Sequence, residues 1–189
     1  LYMMEAPVNT ETTICNKHNI LLKRNKNLNN YKLLFQAKNP NIQIGNLINF
    51  KLYELLGTLN EDIVESIEVV NEHSPTMMDF LLVFKRFGAE VGISKKYMFI
   101  RTQRLQHENQ TQFISQSVPY TGKVPQGCEQ VTGDYANLYI DQKNDHEITI
   151  QYVFNINLNE ELPIYMENII ELLMKKIFYR LKTFIENIK

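Results

Sequence analysis

The sequence contains no tryptophan, only two cysteines and almost no excess of charge of either sign. Cys15 and Cys128 are too few to build a disulfide-stabilised secreted module, so we expect two reduced thiols in a cytosolic domain, with a single bridge between them as the alternative. The 20 basic and 21 acidic side chains give a formal net charge of −1. A nucleic-acid binder carries a surplus of Lys and Arg, so this composition argues against that class. No apolar run reaches the roughly 18 residues of a membrane-spanning helix, and no signal peptide is present.

What the sequence does contain is enough apolar material for one substantial core. Of its 189 residues, 44% are hydrophobic and 11% aromatic. This composition excludes an intrinsically disordered chain. We expect residues 1–189 to form one domain, and the start at Leu1 indicates a fragment cut from a longer protein.

Motifs of catalysis and metal binding are missing from the sequence. It has no G-x-S-x-G, P-loop or G-x-G-x-x-G pattern, so the sequence predicts neither an enzyme nor a nucleotide or other cofactor. The histidines are scattered without the paired spacing of metal ligands, so no metal site is expected. They are His18, His73, His107 and His146.

The first half of the chain predicts strands and one short helix. Apolar runs at 20–22 and 31–35, separated by an Asn-rich loop, predict two successive strands. Apolar residues three and four apart over 44–56 predict a helix that stops at Gly57. The β-branched content of 62–72 favours a further strand.

The second half predicts a run of strands followed by a long helix. The strands are expected at 79–87, 97–105, 112–118, 135–142 and 147–158. The last strand alternates clearly, with apolar side chains from Ile148 to Leu158 on one face and polar ones on the other. This pattern is typical of an antiparallel strand with one buried face.

The predicted C-terminal helix covers residues 163–188. It carries a continuous apolar stripe, and Pro163 suits its first turn. At 1.5 Å per residue it would run about 39 Å. Such a helix must pack against the sheet, so the fold class is α+β.

Three segments resemble the START family, the StAR-related lipid-transfer domains. Residues 94–101 (SKKYMFIR) are similar to the strand of the family that ends in Arg, and 115–118 (SQSV) with 122–124 (GKV) resemble its next strand and turn. Residues 157–163 (NLNEELP) resemble the junction before the final helix. The resemblance implies a helix-grip fold, in which a curved antiparallel sheet wraps around a long C-terminal helix and encloses a cavity.

The resemblance also implies a function. A START-like domain binds a single lipid in the cavity and transfers it between membranes without catalysis. Sterol-binding members pair an acid with the Arg at the position of Arg101, but here residues 80–83 align with that acid and Asp79 is offset. A phospholipid is therefore favoured, with a sterol as the alternative.

Site residues follow from the register that the family implies. Tyr97, Phe99 and Arg101 are expected on the inner side of their strand, where Arg101 meets a phosphate or hydroxyl of the ligand; alternatively it forms a structural ion pair with Asp79 or another acid. For the other cavity-wall residues, a role in the plain core is the alternative to direct ligand contact. The expected lipid-binding residues are Tyr97, Phe99, Arg101, Ile150, Tyr152, Phe154, Met166, Ile170, Leu173, Met174 and Ile177.

A flexible loop is expected to gate the cavity. It contains Gly88, Val91 and Gly92, and an ordinary hairpin turn is the alternative. The implied protein is a cytoplasmic monomer that contacts membranes transiently and binds no nucleic acid. Two other functions remain open: a lipid-sensing regulatory module of a larger protein, and a helix-grip enzyme acting on a hydrophobic substrate.

Overall fold

The computed structural model describes residues 11–25, 30–87, 92–124, 126–157 and 164–189, with side chains in the last range from 168 onward. The elements follow the predicted order: strands, a short helical segment, a run of strands and a long final helix. The strands are β1 (Glu11–Lys17), β2 (Ile20–Asn25), β3 (Asn30–Lys38), β4 (Val64–Ser74), β5 (Met77–Phe84), β6 (Lys95–His107), β7 (Gln110–Ser117), β8 (Cys128–Gln130), β9 (Ala136–Asn144) and β10 (Glu147–Asn155). The helices are a 3-10 turn (Ile44–Leu47), α1 (Lys51–Leu59) and α2 (Ile164–Asn187).

All ten strands belong to one open sheet. Its order is β1-β2-β3-β10-β9-β7-β6-β5-β4, so β1 and β4 are the two edges, and the short β8 lies beside β6. Neighbouring strands along this path are antiparallel, whereas β8 runs parallel to β6. The 3-10 turn and α1 carry the chain from β3, in the middle of the sheet, to β4 at its far edge.

The alternation predicted for the last strand is present in β10. Ile148 and Ile150 are almost completely buried, and Phe154 follows them on the same side. They face α1 and α2, and we call this the inner face of the sheet; the opposite side is the outer face. Burial of one face fixes the register, because a slip of one residue would move every apolar side chain to the wrong side.

The predicted helix over 44–56 is in fact divided into two pieces, so its continuity and its end were wrong. Ile48 leaves the helical conformation at φ −90°, ψ 72°, and the Asn49 side chain then accepts a hydrogen bond from the backbone N–H of Lys51. Gly57 lies inside α1 rather than at its end. A Cβ there would lie 3.3 Å from Ile67 Cδ1, so glycine allows α1 to approach β4 closely.

Helix α2 packs across the inner face with its C-terminal end tied down. The Asn39 side-chain amide, completely buried, donates hydrogen bonds of 2.7 Å to the carbonyl oxygens of Ile185 and Ile188. These carbonyls belong to the end of α2, where no further turn of helix can satisfy them. Farther back, Lys176 Nζ lies 2.6 Å from Asp62 Oδ2. Among the described residues, no helix is long and apolar enough to cross a membrane.

Two strands were not predicted. β1 is mostly exposed, so its sequence carries no alternation. It joins β2 through His18 and Asn19, both with positive φ, as a tight two-residue hairpin requires. β8 is three residues long, too short to give a pattern.

Candidate functional site

An internal cavity of about 120 Å³ lies between α1, α2 and the inner face of the sheet. Its wall is almost entirely aliphatic and aromatic, and none of the described residues that line it is charged. Strands β4, β5, β6, β7, β9 and β10 form its floor. The helix residues that line it are Leu52, Tyr53, Leu56, Met174, Ile177 and Phe178.

Three of the predicted wall residues line this cavity. They are Tyr152 on β10 and Met174 and Ile177 on α2. The remaining ones surround it or lie elsewhere: Ile150 and Leu173 belong to the core around the cavity, Phe154 is buried against Tyr152, and Ile170 is half-buried on α2. Met166 lies outside the residues whose side chains are described.

The predicted inner position of Tyr97, Phe99 and Arg101 is wrong. The three do share one face of β6, but it is the outer face, and the alternate residues Met98 and Ile100 face the cavity. Tyr97 and Phe99 instead form a second apolar cluster with two β5 residues. The side chains that pack against this cluster from the segment after β7 are Val118, Tyr120 and Cys128.

Arg101 forms the structural ion pair that was the alternative to ligand contact. Its Nε and Nη2 donate to the two carboxylate oxygens of Asp79 at 2.7 and 3.0 Å. Asp79 is 1% exposed and lies directly opposite Arg101 in the β5–β6 ladder, so the predicted offset between them is wrong. His73 and Asn71, both on β4, also contact this carboxylate. Chiefly the hydrogen bonds from Arg101 hold the pKa of Asp79 well below its ordinary value, although burial acts in the opposite direction.

Among the described residues that line the cavity, the ones with polar side chains are Tyr53, Ser115 and Tyr152, and each carries a hydroxyl. Tyr53 Oη is 3.3 Å from Ser115 Oγ, and Ser115 Oγ is 2.8 Å from Thr102 Oγ1. Tyr152 Oη lies near Tyr53 but has no hydrogen-bond partner among the described residues. Burial raises the pKa of both phenols, and in Tyr152 the neighbouring Tyr53 raises it further. Both hydroxyls are therefore neutral at physiological pH.

Stacked rings fix the position of these phenols. The Tyr53 ring stacks on Phe80, with centroids 4.5 Å apart and planes inclined by 17°. The Tyr152 ring contacts Phe154 and Phe178 at centroid distances of 4.8 and 5.0 Å. Both phenols keep some accessible surface although they lie deep in the protein, because that surface faces the cavity.

Sequence reasoning did not identify Tyr53, Thr102 and Ser115. A signal existed for the last two, because Thr102 follows Ile100 and Ser115 follows Phe113 at the two-residue spacing of the inner face. A polar residue in an apolar row marks either a structural hydrogen bond or a site. Tyr53 had no comparable signal, since aromatic residues on an amphipathic helix are ordinary core.

Most of the predicted gate loop lies outside the described residues, including Gly88 and Val91. Gly92 is described: it is exposed and has φ +82°, a backbone conformation that favours glycine. A Cβ at Gly92 would meet nothing within 4 Å, so backbone conformation alone explains the glycine there.

A larger groove of about 740 Å³ lies on the surface between the end of α1 and the last turns of α2. It is open to solvent, and the ion pair of Arg180 with Asp62 lies along it. This groove is more open to water than the internal cavity and has charged residues in its wall, so the internal cavity is the better candidate for an apolar ligand.

The arrangement of this sheet, α2 and the cavity is the helix-grip fold of START domains. The human StarD13 (DLC2) lipid transfer and protein localization domain matches with a TM-score of 0.76 and 11% identity, over 94% of this chain and 90% of that one. Human StAR-related lipid transfer protein 5 matches with a TM-score of 0.77 and 10% identity, over 93% and 86% of the two chains. For the STAR-related lipid transfer protein from Xanthomonas axonopodis the TM-score is 0.69 at 10% identity, over 93% and 98%.

The START-like fold predicted from three short motifs is therefore confirmed. No protein-family model matches the sequence, and no curated protein matches it. At 10–11% identity the solved structures show a shared fold, in which this chain is a divergent example.

Proposed function

We propose that this protein binds one lipid molecule in the internal cavity and carries it between membranes without changing it chemically. The observation that carries the proposal is the apolar cavity between α2 and the sheet. Moving a lipid chain from water into such a site gains about 0.8 kcal/mol per methylene. Solved structures of the same fold are named lipid transfer proteins, which supports this choice.

The cavity must widen to take a lipid. Its volume of about 120 Å³ is below the roughly 300–1,000 Å³ of typical ligand pockets. Asn39 holds the C-terminal end of α2, and Asp62 pairs with Lys176 and Arg180 on its outer side. Widening is therefore expected toward the N-terminal half of α2, away from these contacts.

Binding without turnover is the simpler reading of the cavity chemistry. General acid–base catalysis needs a group whose pKa lies near the working pH. The cavity wall offers hydroxyl groups, and two of these are phenols whose pKa is raised further from neutrality. We accordingly assign the protein a carrier role, as a cytoplasmic monomer that contacts membranes transiently.

Lipid transfer between vesicles tests the proposal. Donor vesicles of phosphatidylcholine carry a radiolabelled lipid, acceptor vesicles carry none, and native mass spectrometry of the re-isolated protein counts bound lipid. We expect one lipid per chain, a transfer rate proportional to protein concentration, and the same lipid recovered by extraction. A protein that stays lipid-free and leaves the transfer rate at its background value would contradict the proposal, and recovery of a chemically altered lipid would indicate an enzyme.

A further inference from the structure

The cavity hydroxyls come from opposite walls and converge on one space. Tyr53 lines it from α1, Ser115 from β7 with the completely buried Thr102 of β6 bonded to it, and Tyr152 from β10. The first three form a hydrogen-bonded chain, whereas Tyr152 Oη has no partner among the described residues and faces the cavity. A buried hydroxyl without a partner loses its hydration and gains nothing in return. A ligand with a polar group at this point would supply the missing hydrogen bond.

We propose that the ligand is an uncharged lipid that places one hydroxyl or carbonyl oxygen between Tyr152 and Tyr53. This proposal rests on the proposed function, because it names the class of lipid that the same cavity selects. Tyr152 would donate its O–H to the ligand oxygen. Tyr53, already bonded to Ser115, would accept from a ligand hydroxyl through its remaining lone pair.

The absence of charge in the wall sets the first selection rule. A phosphate or carboxylate buried in an apolar cavity needs a cation beside it, since an isolated buried charge is strongly unfavourable. Among the described residues, none with a charged side chain lines the cavity. Arg101, the cation expected to meet a phosphate, lies on the outer face and is paired with Asp79. The neutral phenols match an uncharged oxygen instead.

The volume sets the second selection rule. About 120 Å³ is comparable to the engineered apolar cavity of about 150 Å³ that accepts benzene. A slender group, such as the oxygenated end of a single chain, can enter with limited displacement of α2. The stacked rings of Tyr53 and Phe80 hold the first phenol in place, so little orientational freedom is lost when the ligand oxygen binds.

A competition among matched single-chain probes tests this proposal. Phosphatidylcholine vesicles carry equal amounts of oleyl alcohol, methyl oleate, oleate and (Z)-9-octadecene, which share an 18-carbon chain with one cis double bond and differ in the group at its end. The intact protein is incubated with them and re-isolated, and its lipids are extracted and quantified by mass spectrometry. The same measurement is made on Tyr152→Phe, on Ser115→Ala and on the matched control Tyr139→Phe, whose ring is on β9 facing away from the cavity.

We expect the protein to bind the alcohol, the ester or both at least about fivefold more than the hydrocarbon. Fivefold is the ratio in binding that one hydrogen bond, of about 1 kcal/mol, produces. The alcohol or the ester should also exceed oleate and phosphatidylcholine. Tyr152→Phe should abolish this fivefold preference over the hydrocarbon without reducing octadecene binding. Ser115→Ala should lower the preference partly, and Tyr139→Phe should leave it unchanged. Equal binding of octadecene, a preference for oleate or phosphatidylcholine, or a Tyr152→Phe protein with unaltered preference would overturn this inference while leaving a lipid carrier. Absence of all five lipids would overturn the proposed function itself.

Discussion

Opposite changes of cavity volume should have opposite effects on stability and on lipid uptake. Leu138 and Ala136 both lie on β9 and both line the cavity. Leu138→Ala removes three buried carbons, and with the added void we expect a loss of about 3 kcal/mol in the free energy of unfolding. Ala136→Leu adds three carbons to space that already exists. Moving these carbons from water into the cavity contributes about 2.4 kcal/mol, and ordering the longer side chain costs about 0.8 kcal/mol in entropy. We therefore expect the free energy of unfolding to rise by about 1.5 kcal/mol.

The cavity itself sets an upper bound on that gain. At about 24 cal/mol per Å³, a void of about 120 Å³ accounts for roughly 3 kcal/mol. Urea unfolding followed by circular dichroism measures both changes, with Leu105→Ala on the outer face of β6 as control. Uptake of oleyl alcohol from vesicles should fall at least tenfold in Ala136→Leu. A filled variant that is less stable than the parent, or that takes up lipid normally, would refute the assignment of this space as the binding site.

Four further predictions follow from buried polar groups. Asn39→Ala should lower the free energy of unfolding by about 2–3 kcal/mol, measured in urea, because the buried amide makes two hydrogen bonds to the end of α2 and accepts a third. Arg101→Gln should lower the urea midpoint but leave lipid uptake at the parent level, since the guanidinium binds Asp79; reduced uptake in a folded variant would restore the ligand-contact reading. Because the folded-state pKa of Asp79 lies below the ordinary 3.8, its stabilisation is complete above that pH and is lost as the pH falls through the folded value, so Asp79→Asn should flatten acid unfolding curves. The pKa values of Tyr53 and Tyr152 are raised, so their stabilisation is complete below pH 10.0 and declines above it; Tyr152→Phe should show a shallower alkaline loss of stability.

The order of elements could be predicted because several segments carry patterns that tertiary context does not override. In β10 Ile148, Ile150 and Phe154 are buried on the inner face, whereas Glu147, Thr149 and Gln151 on the other face are half-buried. Val153 and the buried Asn155 are the two departures from the alternation. The length and apolar stripe of α2 likewise require a sheet to pack against. The motif before α2 then narrowed an α+β class to one fold, which the structure confirms.

The inner face of β6 could not be predicted for a physical reason. Tyr97 and Phe99 are apolar, and so are Met98 and Ile100, so neither set marks itself as the core side. Both faces are buried here, because the segment after β7 folds back and places Tyr120 over the outer face. Alternation carries no information about register where both faces are covered, and the family register then supplied the wrong face.

The ion pair of Asp79 and Arg101 was hidden by the loop between β5 and β6. The register of two antiparallel strands depends on the length and geometry of the loop that connects them. A loop of about ten residues can adopt many geometries, so the sequence does not determine which residues of β5 and β6 lie opposite each other. Once the register is known, Asp79 stands opposite Arg101 and becomes its natural partner. The cavity hydroxyls were hidden differently, because their significance depends on three strands and a helix meeting at one point.

The two walls of the cavity differ in how readily they can move. The phenol of Tyr53 is held by Phe80 and Ser115, and Thr102 extends the same hydrogen-bonded chain into the sheet. The facing wall is α2, which contributes Met174, an unbranched side chain that adapts to irregular space. An expanding ligand therefore displaces α2 rather than Tyr53, since moving Tyr53 would break its hydrogen bond to Ser115 in a low-dielectric interior. A rigid polar anchor on one side and a yielding apolar wall on the other would let the protein select the oxygenated end of a lipid while accepting chains of different length.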